Sequence, residues 1–194
     1  DVARRRIGLR TVRLDQAEDE HGRGFRIVVN DRPILCLGAN WIPDGLHPGT
    51  ADPDRVRTRI EQAVAANFNM LRVWGRGVYE GDGFYEACDE LGIMVWQDFM
   101  FACATYPEHP EFLESVEREA RHQVSRLATH PSIVLWCGGN ENLLAYETWG
   151  WKPRMPRTQS WGARIFTGLL PDVVARLDPS RPYVADSPFS GDRK

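Results

Sequence analysis

Four cysteines are all that this 194-residue chain carries, and Cys36, Cys88, Cys103 and Cys137 stand far apart with no CxxC pair among them. That spacing excludes a cysteine-built zinc site and a dithiol redox motif, and it favours a reducing, cytoplasmic setting. Three of the four lie in apolar surroundings, where a buried thiol is expected. The five histidines, His21, His47, His109, His122 and His130, fall in turns or on a helix without a pair at ligand spacing, so no metal is expected. No G-x-S-x-G, G-x-x-x-x-G-K or H-E-x-x-H motif occurs, and Gly75-Arg76-Gly77 and Gly81-Asp82-Gly83 lack the third glycine of a dinucleotide fingerprint. Cofactors are therefore expected to be none. No run of about eighteen apolar residues is present, and Asp1-Val2-Ala3-Arg4-Arg5-Arg6 has no apolar segment of the signal-peptide kind. A net charge of −3, with arginines scattered among carboxylates, gives no reason to expect nucleic acid or a membrane as partner.

What is present is an ordinary globular composition, 42% hydrophobic and 26% charged, on a chain long enough for one substantial core. Residues 1–30 alternate, with Ile7, Leu9 and Val12 on one side of the polar turn Asp19–Gly24 and Phe25, Ile27 and Val29 on the other. That is the pattern of a β-hairpin. A strand is predicted over about 34–39, followed by a helix from Asp52 to Asn67. Next come strand 70–74, a helix around 83–91 stopped by Gly92, strand 93–96, and helix 111–129 stopped by His130-Pro131. Strand 132–137, a helix from about 160 to 177 and strand 182–185 complete the alternation. Five strands with helices between them specify a parallel α/β fold. A closed eight-stranded barrel needs about 250 residues, so the choice lies between a compact open sheet and a piece of a larger barrel. The loop-like ending Ser187–Lys194 favours the piece.

Each strand ends in polar or aromatic residues: Asn40-Trp41, Arg72 and Trp74, Trp96 and Asp98, Asn140-Glu141, Asp186-Ser187. Singly, each has a bland explanation as a cap, a loop contact or a structural ion pair. Together they describe a polar and aromatic bowl at one end of the sheet, where α/β barrels keep their catalytic residues. The sharpest segment is Ser132–Asn142, an apolar run through Gly138-Gly139 into Asn140-Glu141. Here two readings stand open, a helix N-cap formed by Asn140 with Glu141 in the first turn, or a catalytic carboxyl. A glutamic acid beside Trp96 and Trp136 would have its pKa raised by desolvation, as a proton donor requires. Tryptophan also offers a flat apolar face and one donor, which suits sugar rings. Glycoside hydrolysis needs a second carboxylate; Asp98 and Asp186 are available, neither of them convincing.

Asn69–Gly75, Phe84–Cys103 and His130–Asn142 closely resemble β-mannosidases of glycoside hydrolase family 2, and Gly38-Ala39-Asn40-Trp41-Ile42-Pro43 resembles that family's first barrel strand. The resemblance runs from about Gly24 to Ser190, and Trp96-Gln97-Asp98-Phe99 favours mannosidases over the family's β-galactosidases and β-glucuronidases. It implies a partial (β/α)8 barrel of about five units over residues 31–194. Residues 1–30 would then be the closing hairpin of an immunoglobulin-like domain. It implies a retaining exo-hydrolase of terminal β-linked mannose, with Glu141 as general acid/base and Asn140 at the sugar 2-hydroxyl. Trp96 would wall the subsite, with Asn40, Trp41, Arg72, Trp74 and Asp98 as further pocket members. The family's nucleophile, a glutamate at the seventh strand, is expected to lie outside this chain, leaving the isolated piece inactive. The partners expected are β-mannoside oligosaccharides or glycoconjugates, and a second copy through open barrel edges. The alternatives are a β-galactosidase-like sister enzyme and a non-catalytic sugar-binding or structural module.

Overall fold

The computed structural model describes residues 7–45, 52–156 and 160–188. Two sheets organise them. The first is antiparallel, with order β1-β4-β5, where β1 is Val12–Asp15, β4 is Arg26–Val29 and β5 is Arg32–Ile34. The loop between β1 and β4 carries a two-residue ladder of β2 (Glu18–Asp19) with β3 (Gly22–Arg23). The antiparallel sheet thus takes in a third strand beyond the hairpin read from the sequence. Residues 1–6 and 189–194, the latter holding all of the expected terminal loop but Ser187 and Pro188, lie outside the described residues.

The second sheet holds β6 (Gly38–Trp41), β7 (Met70–Val73), β8 (Met94–Asp98), β9 (Ile133–Cys137) and β10 (Tyr183–Val184). All its pairs are parallel and its order is β10-β9-β8-β7-β6. Each strand lies beside its predecessor without the reversal of a doubly wound sheet, so the sheet is an arc of a singly wound barrel. Among the described residues, β6 and β10 are its open edges.

The helices form where caps and apolar faces coincide. Asp52 caps α1 (Pro53–Ala65) by accepting from Asp54 N, and Pro53 fits the first turn, where its missing N–H costs nothing. Phe84, Tyr85, Ala87 and Cys88 form the buried face of α2 (Asp82–Leu91), which Gly92 ends in the left-handed conformation. In α3 (Pro110–Leu127), Val116, Ala120, Val124 and Leu127 repeat at helical spacing and are buried. These faces close over one side of the parallel sheet, against Val73, Val95, Ile133 and Trp136. At about 1.5–3 kcal/mol per large apolar side chain, that core is the main stabilising term. Two further helices are α4 (Asn142–Thr148) and α5 (Leu170–Leu177); α5 follows a π-helical turn over Ile165–Leu169, so the single helix predicted over 160–177 is broken in winding.

The other side of the parallel sheet receives the antiparallel one. Ile27, with Val12, Leu14 and Val29, packs on Met70, Met94, Val134 and Leu135. Arg10 pins the approach, donating to Pro131 O at 2.9 Å and Ile133 O at 2.8 Å.

The strand predicted over 34–39 is divided between the two sheets. The Asn69 side chain accepts from Leu37 N at 2.8 Å and donates to Leu35 O at 2.9 Å, satisfying the backbone where the chain leaves one sheet for the other. Gly38 follows because any Cβ there would collide with the Met70 carbonyl oxygen.

Candidate active site at the strand ends

Strand alternation builds the first row of the site. Asn40 pairs with Arg72 and Arg72 with Trp96, so all three side chains share a face, whereas Trp41, Val73 and Gln97 point the other way. The row continues past the strands as single parallel bridges, Ala102 to Asn140 and Asn140 to Ser187. The polar residues read one by one along the sequence are thus brought to a common rim.

Arg72 is the hub of this rim. Its guanidinium donates to Asp98 through Nη2 to Oδ2 at 2.8 Å and Nε to Oδ1 at 3.3 Å. It also donates to Asn140 Oδ1 at 2.8 Å, Ser187 Oγ at 2.6 Å and Asn40 Oδ1 at 3.4 Å. Asp98 has no exposed side-chain surface. It accepts further bonds from Gly75 N at 3.0 Å and Trp96 Nε1 at 2.9 Å. Burial pushes the Asp98 carboxyl up, with Arg72 the largest opposing influence.

Glu141 stands beside this hub. Its Oε2 accepts from Asn140 Nδ2 at 3.1 Å and from the Cys103 thiol at 3.3 Å. Because Arg72 holds Asn140 Oδ1, the amide has one orientation, with its NH2 directed at Glu141. The backbone of Glu141 is left-handed, φ 60°, and its N–H donates to Ser187 O at 2.7 Å.

The helix-cap reading of Asn140-Glu141 is overturned at this point. Glu141 occupies the N-cap position of α4, yet its side chain makes no cap bond. The free helix N–H groups of Asn142 and Leu143 instead donate to Asp186, at 3.3 and 2.8 Å. Asp186 is buried, and that burial raises its pKa to about 6. One carboxylate therefore caps the helix, which leaves the other free for chemistry.

Several expectations need correction. Trp136 does not stand beside Glu141: it is buried in the helix-covered core, stacked 5.4 Å from Phe99, with its indole donating to Asp178 Oδ2 at 2.9 Å. Strand alternation turns it away. Trp41 is likewise core, tilted against Phe84 and donating to Glu80 Oε1 at 2.8 Å, so the structure does not bring it into the bowl. Trp96 is on the rim, but its ring is occupied by Phe25, 5.7 Å away, and by the Arg72 guanidinium at 5.4 Å. Trp74 is half-buried just past β7. Of the cysteines, only Cys88 and Cys137 are buried; Cys36 is exposed and Cys103 is half-buried on Glu141.

Two residues of the rim escaped the sequence reading. In the sequence Ser187 is one strand-end polar group among several, and Cys103 one thiol among four. The signal for both lies in the bridges to Asn140, which are long-range and carry no local pattern. An aromatic pair follows α4, the exposed Trp149 against the half-buried Trp151, with ring centroids 5.8 Å apart. A cavity of about 400 Å³ lies at the opposite end of the strands, between the two sheets, lined by Arg10, Ile34, Asp89, Met94 and Ser132. Among the described residues no cluster of His, Cys, Asp and Glu could hold a metal.

Residues 23–187 match the family described as glycosyl hydrolases family 2, TIM barrel domain. The chain is 42% identical over 200 residues to β-mannosidase B of Emericella nidulans, covering 98% of this chain and 23% of that protein. It is 42% identical to a goat (Capra hircus) β-mannosidase, covering 96% of this chain and 22% of the relative. The crystal structure of a β-D-mannosidase from Dictyoglomus thermophilum superposes with a TM-score of 0.91 at 48% identity, over 96% of this chain and 23% of that one. A β-glucuronidase of Bacteroides uniformis shares the fold, with a TM-score of 0.71 at 22% identity. The chain therefore spans about a quarter of the length of the relatives it matches.

Proposed function

We propose, from the premise that this chain belongs to glycosyl hydrolase family 2, that it is the part of a β-mannosidase that carries the general acid/base, Glu141. The observation that carries the reading is the division of labour between two carboxylates. Asp186 caps α4, while Glu141, at the end of β9, is oriented by Asn140 and left free of capping.

In this mechanism Glu141 donates a proton to the glycosidic oxygen as the bond to the leaving group breaks. A carboxylate attacks the anomeric carbon from the opposite face, forming a glycosyl-enzyme. Glu141, now ionised, takes a proton from water, which hydrolyses the intermediate with net retention. Asn140, tied to Arg72 on one side, presents its amide to the sugar 2-hydroxyl, where a bond strengthening in the transition state lowers the barrier. Arg72, Asp98 and Trp96 form the rigid floor beneath it.

The attacking carboxylate is neither Asp98 nor Asp186. The first is fully buried under Arg72, Gly75 N and Trp96; the second is spent on the helix N-terminus. On this reading it comes from another part of the parent enzyme, and these 194 residues alone do not turn over. Two experiments test the proposal. In the full-length enzyme, Glu141→Ala lowers kcat on a β-mannoside with a poor leaving group by about 10²–10⁴-fold, and azide speeds turnover of the dinitrophenyl mannoside, which leaves without acid help, giving β-mannosyl azide. An unchanged kcat, or an α-configured azide product, refutes the role. Turnover of a nitrophenyl β-mannoside by the isolated chain, abolished in Glu141→Gln, refutes the need for an outside nucleophile.

A further inference from the structure

Cys103 sits at the elbow after β8, and the mechanism above does not use it. Its backbone N–H donates to Asn140 O at 2.8 Å and its thiol to Glu141 Oε2 at 3.3 Å. Asn140 Nδ2 reaches the sulfur at 3.6 Å and the same Oε2 at 3.1 Å. Three residues thus close a small ring of contacts. Two of them, Cys103 at φ 49° and Glu141 at φ 60°, are held in the left-handed conformation. That conformation costs a non-glycine residue about 1–2 kcal/mol and persists only where its surroundings over-determine it.

We infer that Cys103 is a positioning residue for Glu141, its thiol and the Asn140 amide together fixing Oε2 as the accepting oxygen, so that the transferable proton is carried on Oε1. The inference rests on Glu141 being the acid/base. A carboxyl group carries one proton, and an oxygen already receiving two donors has its lone pairs committed. The terminal torsion of a free glutamate is broad and roughly two-fold, so an unheld Glu141 would present either oxygen to the leaving group. Two donors on one oxygen remove that ambiguity.

The thiol suits the task because it is a weak donor. A hydroxyl in its place would bind the ionised carboxylate more strongly and so favour early loss of the proton that the leaving group needs. The charged groups around the corner are Arg76, which acts on the thiol, Arg72 behind Asn140, Asp98 beneath Arg72, and Asp186 at the start of α4. Burial and then the bond to Glu141 push the Cys103 thiol up, so it remains a protonated donor at neutral pH.

Two measurements test this, one without sugar chemistry. In the 194-residue chain, the alkylation rate of Cys103 by iodoacetamide at pH 8 is read by peptide mass spectrometry. Glu141→Gln removes the anion that holds the thiol protonated, and the rate rises about threefold or more. An unchanged rate overturns the contact, whatever the enzyme does. In the full-length enzyme, Cys103→Ala lowers kcat/KM about tenfold on a mannoside with a poor leaving group, and several-fold less on the dinitrophenyl mannoside, which needs little acid help. Its basic limb in the pH profile moves up, because a donor to the carboxylate is gone; in Cys103→Ser the limb moves down while the rate is largely restored. Equal losses on both substrates with an unmoved basic limb mark a merely structural residue and overturn the inference. If the parent enzyme hydrolyses no β-mannoside, the assignment of Glu141 fails, and the alkylation result still decides whether the thiol is held.

Discussion

Replacing Arg72 by methionine isolates the most consequential contact of the rim. The ion pair it forms with Asp98 is deep: Arg72 keeps 19% of its side-chain surface exposed and Asp98 none. Removing one partner of a buried pair costs about 3–5 kcal/mol, because the other charge is left uncompensated. Asp98 still receives Gly75 N–H and the Trp96 indole, so the cost belongs at the low end, about 3 kcal/mol at pH 7. The pH dependence gives the sharper test. Burial already holds the Asp98 carboxyl above its unfolded value, and Arg72 is the largest influence pulling it down. Without Arg72 the folded pKa rises further, so the folded variant retains a proton that the unfolded chain releases. Stability linked to Asp98 is then present at low pH and lost as pH rises through the folded pKa. The penalty of Arg72→Met should shrink toward about 1 kcal/mol near pH 4, where only neutral hydrogen bonds remain lost. Urea titration followed by tryptophan fluorescence measures it at both pH values. Asp98→Asn on top of Arg72→Met should recover about 2 kcal/mol at pH 7, since the stranded charge is gone. A penalty that is the same at pH 4 and 7, or strict additivity in the double variant, would show that the pair is not coupled as described.

Asp186 titrates in an accessible range. Its pKa is raised to about 6, so the folded chain holds a proton that the unfolded chain loses between about pH 4 and 6, and this group's contribution to stability declines over that window as pH rises. Wild type should therefore gain about 2 kcal/mol relative to Asp186→Asn between pH 7 and 4.5; a constant difference in urea midpoint contradicts the burial argument. Gly138→Ala should destabilise the chain by about 2 kcal/mol or more, because a Cβ there meets the Ala185 carbonyl oxygen and the Tyr183 hydroxyl and forces β9 from β10. Thermal unfolding unchanged within a degree would refute that clash. The β6 edge is unpaired on one side and flanked by Leu35, Leu37 and Ile42, which are 77%, 49% and 60% exposed, so the isolated chain should self-associate. Light scattering showing only monomer at 100 µM or so counts against it.

The β/α alternation was legible because caps and stops are local: Asp52 before Pro53, Gly92 after Leu91, His130-Pro131 after α3. The break at Leu35–Leu37 was not, because its cause is the side chain of Asn69, more than thirty residues away. The same distinction separates the site residues. Strand ends could be counted along the sequence, so it was legible there that Asn40, Arg72, Trp96, Asp98, Asn140 and Glu141 share one rim. Which way an aromatic faces depends on register, and one residue of alternation sent Trp41 and Trp136 into the core instead. Cys103 looked like any small apolar residue, since only its partner, 38 residues on, gives it a role. The capping half of the question raised by Asn140-Glu141 needed Asp186, more than forty residues on, to answer it.

The last strand supplies no reacting atom, yet Asp186 caps the helix after Glu141, Ser187 O receives the Glu141 N–H, and Ser187 Oγ receives Arg72. During synthesis, the Asn140-Glu141 motif therefore leaves the ribosome more than forty residues before Asp186 and Ser187, which complete its surroundings. A nascent chain that has made four barrel strands has the motif and its contacts to Arg72 and Cys103, but neither the cap on α4 nor the partner of the Glu141 N–H. The corner is completed late in folding, when β10 docks, and any fragment or splice that stops short of Ser187 carries the Asn140-Glu141 signature without its helix cap and its second anchor on Arg72.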